Sequence, residues 1–225
     1  MLENTLLIDG GCLLHRYLSE GTDIAKEKID SLIRDLRDFC GLPEYRIYLS
    51  EGINFRHSIA KTRPYKGTRK DKPENYQEVR DFIIESYNVE IVLGYEEDDA
   101  LGVNQSDSTI IATIDKDLNQ IPGKLINFYK TPWEIKEITE EDGIRFFWEQ
   151  MILGDSVDNI VGVEGIGKVK MAKLFDGKSV SELKEIVVNE YNRCYGEQGL
   201  DRFDESARLL FIKRGTYTSE YYDYV

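Results

Sequence analysis

Histidine and cysteine are scarce in this chain, and long apolar runs are missing. Only His15 and His57 are present, and Cys12, Cys40 and Cys194 are odd in number and far apart. Neither a Cys/His zinc site nor a disulfide framework is therefore expected. No stretch approaches the ~18 apolar residues of a membrane span. The N-terminus runs straight into Thr5-Leu6-Leu7-Ile8-Asp9, which reads as a strand and not as a charged-then-apolar signal peptide. A cytoplasmic protein with no membrane partner is expected. Positive charge is also short: 29 Lys and Arg stand against 42 Asp and Glu, a formal charge of −13. That balance argues against nucleic acid, whose binding usually wants a basic surface. With 225 residues and 41% hydrophobic content, the chain can build one sizeable core, or a main domain with a small appendage.

What the chain does have is acid, in five patches: Asp9; Glu51; Glu96-Glu97-Asp98-Asp99; Asp115 with Asp117; and Asp155 with Asp158. Two unit charges ~4 Å apart cost about 4 kcal/mol at an effective dielectric near 20, so several converging pairs would rival the stability of a whole domain. If the patches meet in space, they survive by holding cations, and an all-oxygen set points to a hard ion such as Mg²⁺ or Mn²⁺. Removing the nine candidate ligands Asp9, Glu51, Glu96, Asp98, Asp99, Asp115, Asp117, Asp155 and Asp158 from the −13 leaves −4. One stretch runs the other way. Arg56, Lys61, Arg63, Lys66, Arg69, Lys70 and Lys72 face a single acid, Asp71, and such a stretch can steer a polyanion or can be a solvated loop.

Apolar runs at Thr5–Ile8, Ile47–Leu49, Glu90–Leu93, Thr109–Ile114 and Leu125–Tyr129 read as five strands. Helical periodicity fills 24–40, with Ile29, Leu32, Ile33, Leu36, Phe39 and Cys40 on its apolar face, and returns at Tyr76, Val79, Phe82 and Ile83. Nearly all-apolar strands alternating with helices predict an α/β fold, a mostly parallel central sheet with helices on both faces. Ligands of such sheets bind outside the carboxyl ends of the strands, and four of the acid patches come just after a strand. From Thr139, read as a helix cap, the pattern turns all-helical, with helices near 168–175, 180–194 and 203–213. The expected organisation is an α/β core over 1–138, including a basic arch-like segment at about 53–75, and a helical region over 139–225 with a hairpin at about 154–175. The tyrosine-rich tail 217–225 is either packed or simply terminal.

Glu96 and Asp99 lie three apart on one helical face, so both could reach one ion; acid favouring a helix N-terminus explains one or two of the four but not the run. Downstream, GDSVDN leads into IVGVEGIGK. There Gly165 and Gly167 would let the backbone approach a phosphate, and Lys168, Lys170 and Lys173 supply charge.

This last segment resembles the helix–hairpin–helix of the phage and bacterial 5′→3′ exonuclease and flap endonuclease family. LLIDG, NFRH with PYKGTRK, GYEEDDALG and TIDKDLNQI agree with that family in the same order, over roughly Leu6 to Phe175. The passage EGINFR and the small size look most like the compact phage replication exonucleases. The resemblance implies a two-metal 5′ nuclease cutting phosphodiester bonds of DNA at a 5′ end, nick or flap, in phage replication or recombination and hence in a host cytoplasm. It implies metal ligands at Asp9, Glu96, Asp98, Asp99, Asp115, Asp117, Asp155 and Asp158, two Mg²⁺ or Mn²⁺ ions, an essential Lys66 beside Tyr65, and Arg69 as a further phosphate contact. Tyr65 would stack on an unpaired terminal base. Arg56, Lys61, Arg63 and Lys70 of the basic stretch would touch DNA, as would the hairpin at Gly162–Gly167 with Lys168 and Lys170, around a monovalent cation. The family usually has aspartate where this chain has Glu51, and Val169 stands where a lysine is common. RNA primer strands are a further expected substrate and a monomer the expected state. The rival readings are a catalytically weak or inactive DNA-binding module of the same fold, and an RNase H-like activity on primer RNA.

Overall fold

Five consecutive residues of β1 (Thr5–Asp9) are buried, because both faces of this strand are covered. Alternation along it divides the core. Leu6 and Ile8 point to one side, where they pack with Leu13 and Leu14 of α1 (Gly10–Tyr17), Ile29 and Leu36 of α2 (Thr22–Cys40), and Val79 and Ile83 of α4 (Tyr76–Ser86). Leu7 points to the other side, against Tyr48 of β2 (Glu44–Glu51), Ala100 and Leu101 of α5 (Glu97–Asn104), and Ile111 of β4 (Thr109–Thr113). Each fully buried aliphatic side chain of this kind contributes ~1.5–3 kcal/mol. The computed structural model describes residues 2–223 and 225.

The six-stranded sheet has the order β3-β2-β1-β4-β5-β6, where β3 is Val89–Leu93, β5 is Gly123–Asn127 and β6 is Ile135–Ile138. The first five strands are parallel and β6 is antiparallel to β5. The expected mostly parallel sheet with helices on both faces is thus present. β6 was not anticipated, since its first three residues are exposed and Ile-Lys-Glu-Ile carries too little apolar signal. In α2 the apolar stripe is as expected except at Phe39, which is 46% exposed and meets Trp133 edge-on.

Strands give way to helices at Ile138, and Thr139 caps α6 (Glu140–Leu153) through a reciprocal pair: its Oγ1 accepts from Asp142 N at 3.0 Å, and Asp142 accepts from Thr139 N at 3.2 Å. A two-residue ladder pairs β7 (Gly154–Asp155) with β8 (Ile160–Val161) before α7 (Lys168–Phe175), α8 (Val180–Tyr195) and α9 (Gly199–Leu210). Trp148, Tyr191 and Phe203 centre this second core. The expected division at 138/139 does not divide the packing. Tyr65, Ile59 and Ala60 enter the helical core, and Ile212 enters the core of the sheet.

The basic segment holds one short helix, α3 (Arg56–Ile59), and otherwise turns. Its descending part is clamped to α9: Glu205 accepts from Lys61 N at 2.6 Å, from Thr62 N at 2.7 Å and from Thr62 Oγ1 at 2.7 Å. Helix α9 stops at Leu210, short of the expected 213. Phe211, Ile212 and Lys213 continue as buried extended chain because side chains of the sheet region take their backbone groups. The tail is packed: Tyr221 is buried beside Phe147 and Phe203, and Tyr217 lies 4.7 Å from Tyr95. The part of that expectation falling on Tyr224 lies outside the described residues.

Candidate active site

The carboxyl edge of the parallel strands carries the acids. Asp9 is the last residue of β1. It caps α1 by accepting from Cys12 N at 2.8 Å, and its other oxygen accepts from Thr113 Oγ1 at 2.6 Å. Thr113, the last residue of β4, in turn accepts from Asp115 N at 2.9 Å, and Asp115 accepts from Asp117 N at 2.8 Å. One hydroxyl therefore sets the spacing of the first and fourth strand ends. From the β3 side, α5 presents Glu97 and Asp98 in its first turn. The Glu97 carboxylate lies directly over Gly11, where any Cβ would collide with it.

These acids burden one another. Burial, then Asp115, Asp9, Glu97 and Glu96, push the Asp98 carboxyl far above its ordinary range. Burial and the nearby Glu97 raise Asp9 to about 6, and burial and Asp115 raise Asp117 to about 6. Such mutual elevation requires the charges to be close in a poorly solvated place.

A second arc of acid is already matched by cations. Glu96 accepts from Asn54 Nδ2 at 2.8 Å, from Tyr65 Oη at 2.8 Å and from Lys66 Nζ. Burial alone would raise Glu96, but Arg56 and Lys66 outweigh it and hold the carboxyl below its usual range. Asp158 accepts from Tyr65 Oη at 2.9 Å and Arg69 Nη2 at 2.8 Å, with Lys66 Nζ 3.9 Å away. Lys116 bridges Asp117 at 2.7 Å and Asp155 at 2.8 Å. Asp155 folds its other oxygen onto Val157 N (2.8 Å) and Asp158 N (3.2 Å), a local turn that explains the acid spacing.

Among the described residues, then, Asp9, Glu97, Asp98 and Asp115 form no ion pair, while Glu96, Asp117, Asp155 and Asp158 do. No group of three or more His, Cys, Asp or Glu side chains stands in ready-made single-ion geometry among the described residues. What marks the site is charge: four unpaired carboxylates whose repulsion a hard divalent cation would relieve. That donor set fits Mg²⁺ or Mn²⁺.

Several sequence expectations are corrected. Asp99 is not available to an ion. It is wholly buried, takes Arg56 bidentately at 2.6 and 2.8 Å, and accepts from the N–H of Glu96 and of Lys213 at 3.0 Å each. The three-residue spacing of Glu96 and Asp99 serves this helix cap and not a shared ion. Arg56 does not face DNA: it is 2% exposed, and beyond Asp99 it donates to the carbonyls of Leu209 and Phe211. Glu51 sits at the end of β2 but is paired with Arg80 at 3.2 Å. Tyr65 cannot stack on a base, because its ring is buried against His57 and its hydroxyl is spent on Glu96 and Asp158. Burial and Glu96 push that phenol far up, so it remains a neutral donor. Gly162 is a packing residue, with backbone atoms of Ile152 and Gly154 where a Cβ would be. Glu97 and Asn54 were missed. Glu97 was hidden among four consecutive acids, and Asn54 was legible only as the first letter of NFRH.

Arg69, Lys61, Arg63 and Lys70 are exposed, as are Gly165, Gly167 and Lys168 at the distal turn, but Lys61 and Arg63 line cavities against α9 and β8. Lys170 folds back onto Gly165 O at 2.8 Å. Lys66 has a φ of +54°, an uncommon left-handed conformation for a lysine, held by its N–H donating to Asp158 O at 3.0 Å.

The Arg56–Asp99 pair makes a stability prediction. Arg56→Ala would strand a fully buried carboxylate and is expected to cost about 3–5 kcal/mol, read as a lowered denaturation midpoint. If Arg56 were a DNA contact, unfolding would be unchanged and only DNA affinity would fall.

No protein-family model matches the chain. Over 152 residues, 56% of its length, it is 32% identical to DNA polymerase I of Caldicellulosiruptor bescii, and it spans 17% of that protein. Among solved structures, the T5 5′-exonuclease with bound zinc ions superposes with a TM-score of 0.60 at 18% identity, covering 88% of this chain and 96% of that one. The bacteriophage T5 flap endonuclease in a pseudo-enzyme–product complex with DNA and metal ions gives 0.58 at 17% identity, over 88% and 96%. The chain has the fold of these 5′ nucleases, helical region included.

Proposed function

We propose that this chain is a divalent-metal-dependent 5′ nuclease that hydrolyses phosphodiester bonds of DNA at 5′ ends, nicks or flaps. The observation that carries the reading is the segment 64–69 folded over the acid edge, which sets Lys66 and Arg69 against Glu96 and Asp158 beside four unpaired carboxylates. The fold likeness to proteins solved as 5′-exonuclease and flap endonuclease supports it. Without substrate these two cations, Lys66 and Arg69, neutralise Glu96 and Asp158; with a phosphate at the acid edge, both lie within the same segment to meet it.

Asp9, Glu97, Asp98 and Asp115 would hold two Mg²⁺ or Mn²⁺ ions, with Asp117 and Asp155 supporting them from the helical side. Such ions lower the pKa of bound water and stabilise attacking and leaving oxygens during in-line displacement. The chain's own groups do the rest. Lys66 moves from Glu96 to the scissile phosphate and neutralises charge that grows in the transition state. Glu96, still held by Asn54 and Tyr65, is then freed of one partner and able to face a cation. Arg69 takes a neighbouring phosphate oxygen. Tyr65 fixes Glu96 and Asp158 as a positioning residue.

Labelled flap, nicked and blunt duplexes, incubated with and without Mg²⁺, test this directly. Mg²⁺-dependent release of short 5′ products is expected, and an RNA-primed duplex in the same series reads primer removal. Folded protein that leaves every DNA intact would overturn the reading. The distal turn gives a second check. Lys168→Ala with Lys170→Ala is expected to raise KM and flatten the salt dependence by about one unit of slope. The effect is one unit rather than two because Lys170 is already committed to Gly165 O. An unaltered slope removes this turn from the DNA interface.

A further inference from the structure

A cavity of about 330 Å³ adjoins the acid edge on its β2 side, between Gly11 and His15 of α1, Glu51 at the end of β2 with Gly52 beyond it, and Lys72 and Arg80. Glu97 and Arg69 also line it, so one wall is shared with the candidate active site. The volume is at the small end for ligand sites, of the order of one nucleotide's phosphate and sugar and far too small for duplex. Its cations are not all spent. Arg80 pairs with Glu51 and Arg69 with Asp158, but Lys72 forms no ion pair among the described residues and lies 4.0 Å over the Tyr76 ring. His15 meets Tyr76 at 5.4 Å on the same wall. Burial, then Lys72 and Arg69, lower the His15 pKa against the opposing pull of Glu97, which places both cations within electrostatic reach of this wall. At its rim stands the half-exposed Glu51 carboxylate, paired with Arg80.

We propose that this cavity binds the terminal 5′-phosphate of the strand being cut, through Lys72 and Arg80, and so makes the enzyme sense a phosphorylated 5′ end. The inference rests on the nuclease reading. A monoester carries more charge than an internal diester, which favours it at an unpaired lysine. A second phosphate in the same cavity would meet the Glu51 and Glu97 carboxylates, which favours a strand end over a passing chain.

The test is binding, with Ca²⁺ replacing Mg²⁺, of three labelled duplexes: 5′-recessed with a terminal phosphate, the same with a 5′-hydroxyl, and a 5′-hydroxyl flap. Wild type is expected to bind the phosphorylated end about tenfold tighter than the hydroxyl end. Lys72→Ala should bring that ratio to threefold or less, while Glu51→Gln should keep or raise it. Equal affinity for the two ends in wild type, or an unchanged ratio in Lys72→Ala, overturns the proposal. So does a flap weakened by Lys72→Ala as much as the phosphorylated end, since the cavity would then read passing diesters. Cleavage in Mg²⁺ is measured separately on the same duplexes: discrimination without cutting refutes the nuclease reading and not the cavity, and cutting without discrimination does the reverse.

Discussion

Lys66→Ala is expected to lower the turnover of a 5′-flapped or recessed DNA by about three orders of magnitude with little change in duplex affinity. Loss of one preorganised donor to a developing negative charge costs ~10²–10³ in rate. Here the site also loses the cation that screens Glu96 from Asp158. The ammonium is placed by backbone that the fold over-determines: a left-handed φ at Lys66, anchored to Asp158 O, with Asn159 Nδ2 holding Pro64 O at 2.9 Å. Lys66→Arg should therefore not rescue fully, because a longer, forked head cannot occupy the same point. Without Lys66, Glu96 still keeps Arg56 at 3.5 Å, Asn54 and Tyr65 as partners, so thermal unfolding should move much less than in Arg56→Ala. Single-turnover cleavage within threefold of wild type would remove Lys66 from the chemistry.

Asp9→Asn is expected to do two opposite things: to reduce cleavage at least a hundredfold, and to stabilise the metal-free protein at neutral pH. The sign follows from the raised carboxyl. An acid whose folded pKa lies above its unfolded value costs stability once pH exceeds the unfolded value, and the penalty is complete above the folded value. For Asp9 the window runs from about 4 to about 6. Below it the acid is protonated in both states and contributes nothing. Two pH units amount to about 3 kcal/mol, so in chelator the variant should out-last wild type above pH 6 and match it near pH 4. The cap itself survives, since an asparagine oxygen still accepts from Cys12 N. Millimolar Mg²⁺ should then raise the melting temperature of wild type more than that of the variant. A metal-free variant no more stable than wild type at pH 7.5 would mean that burial and Glu97 do not raise the Asp9 carboxyl in the folded protein.

Much of the architecture could be read from one chain of letters, and for a plain reason. Strands such as Thr5–Ile8 and Thr109–Ile114 are apolar throughout because both sheet faces are covered, and an acid that follows such a strand must emerge at its carboxyl end. The placement of Asp9, Glu96, Asp98 and Asp115 needed nothing more. Strand β6 escaped notice because an exposed edge strand has no hydrophobic requirement to declare itself. The misassigned site residues failed differently. Arg56 and Asp99 are both of the type a nuclease would use, yet they are 43 positions apart and neutralise each other inside the protein. Tyr65, beside Lys66 in the basic stretch, has the type of a stacking surface, yet its ring packs in the helical core.

By itself the sequence determined the period of each element, the edge on which the acids emerge and the family resemblance of its motifs, since these depend on neighbours a few residues apart. Tertiary structure alone decided which carboxylates are matched by a cation and which are left to repel. That is a question of side chains meeting across 30 to 90 positions, as Lys66 meets Glu96 and Arg69 meets Asp158. Charge in a chain is local, but its cost depends on distance and burial, and only the folded molecule sets those.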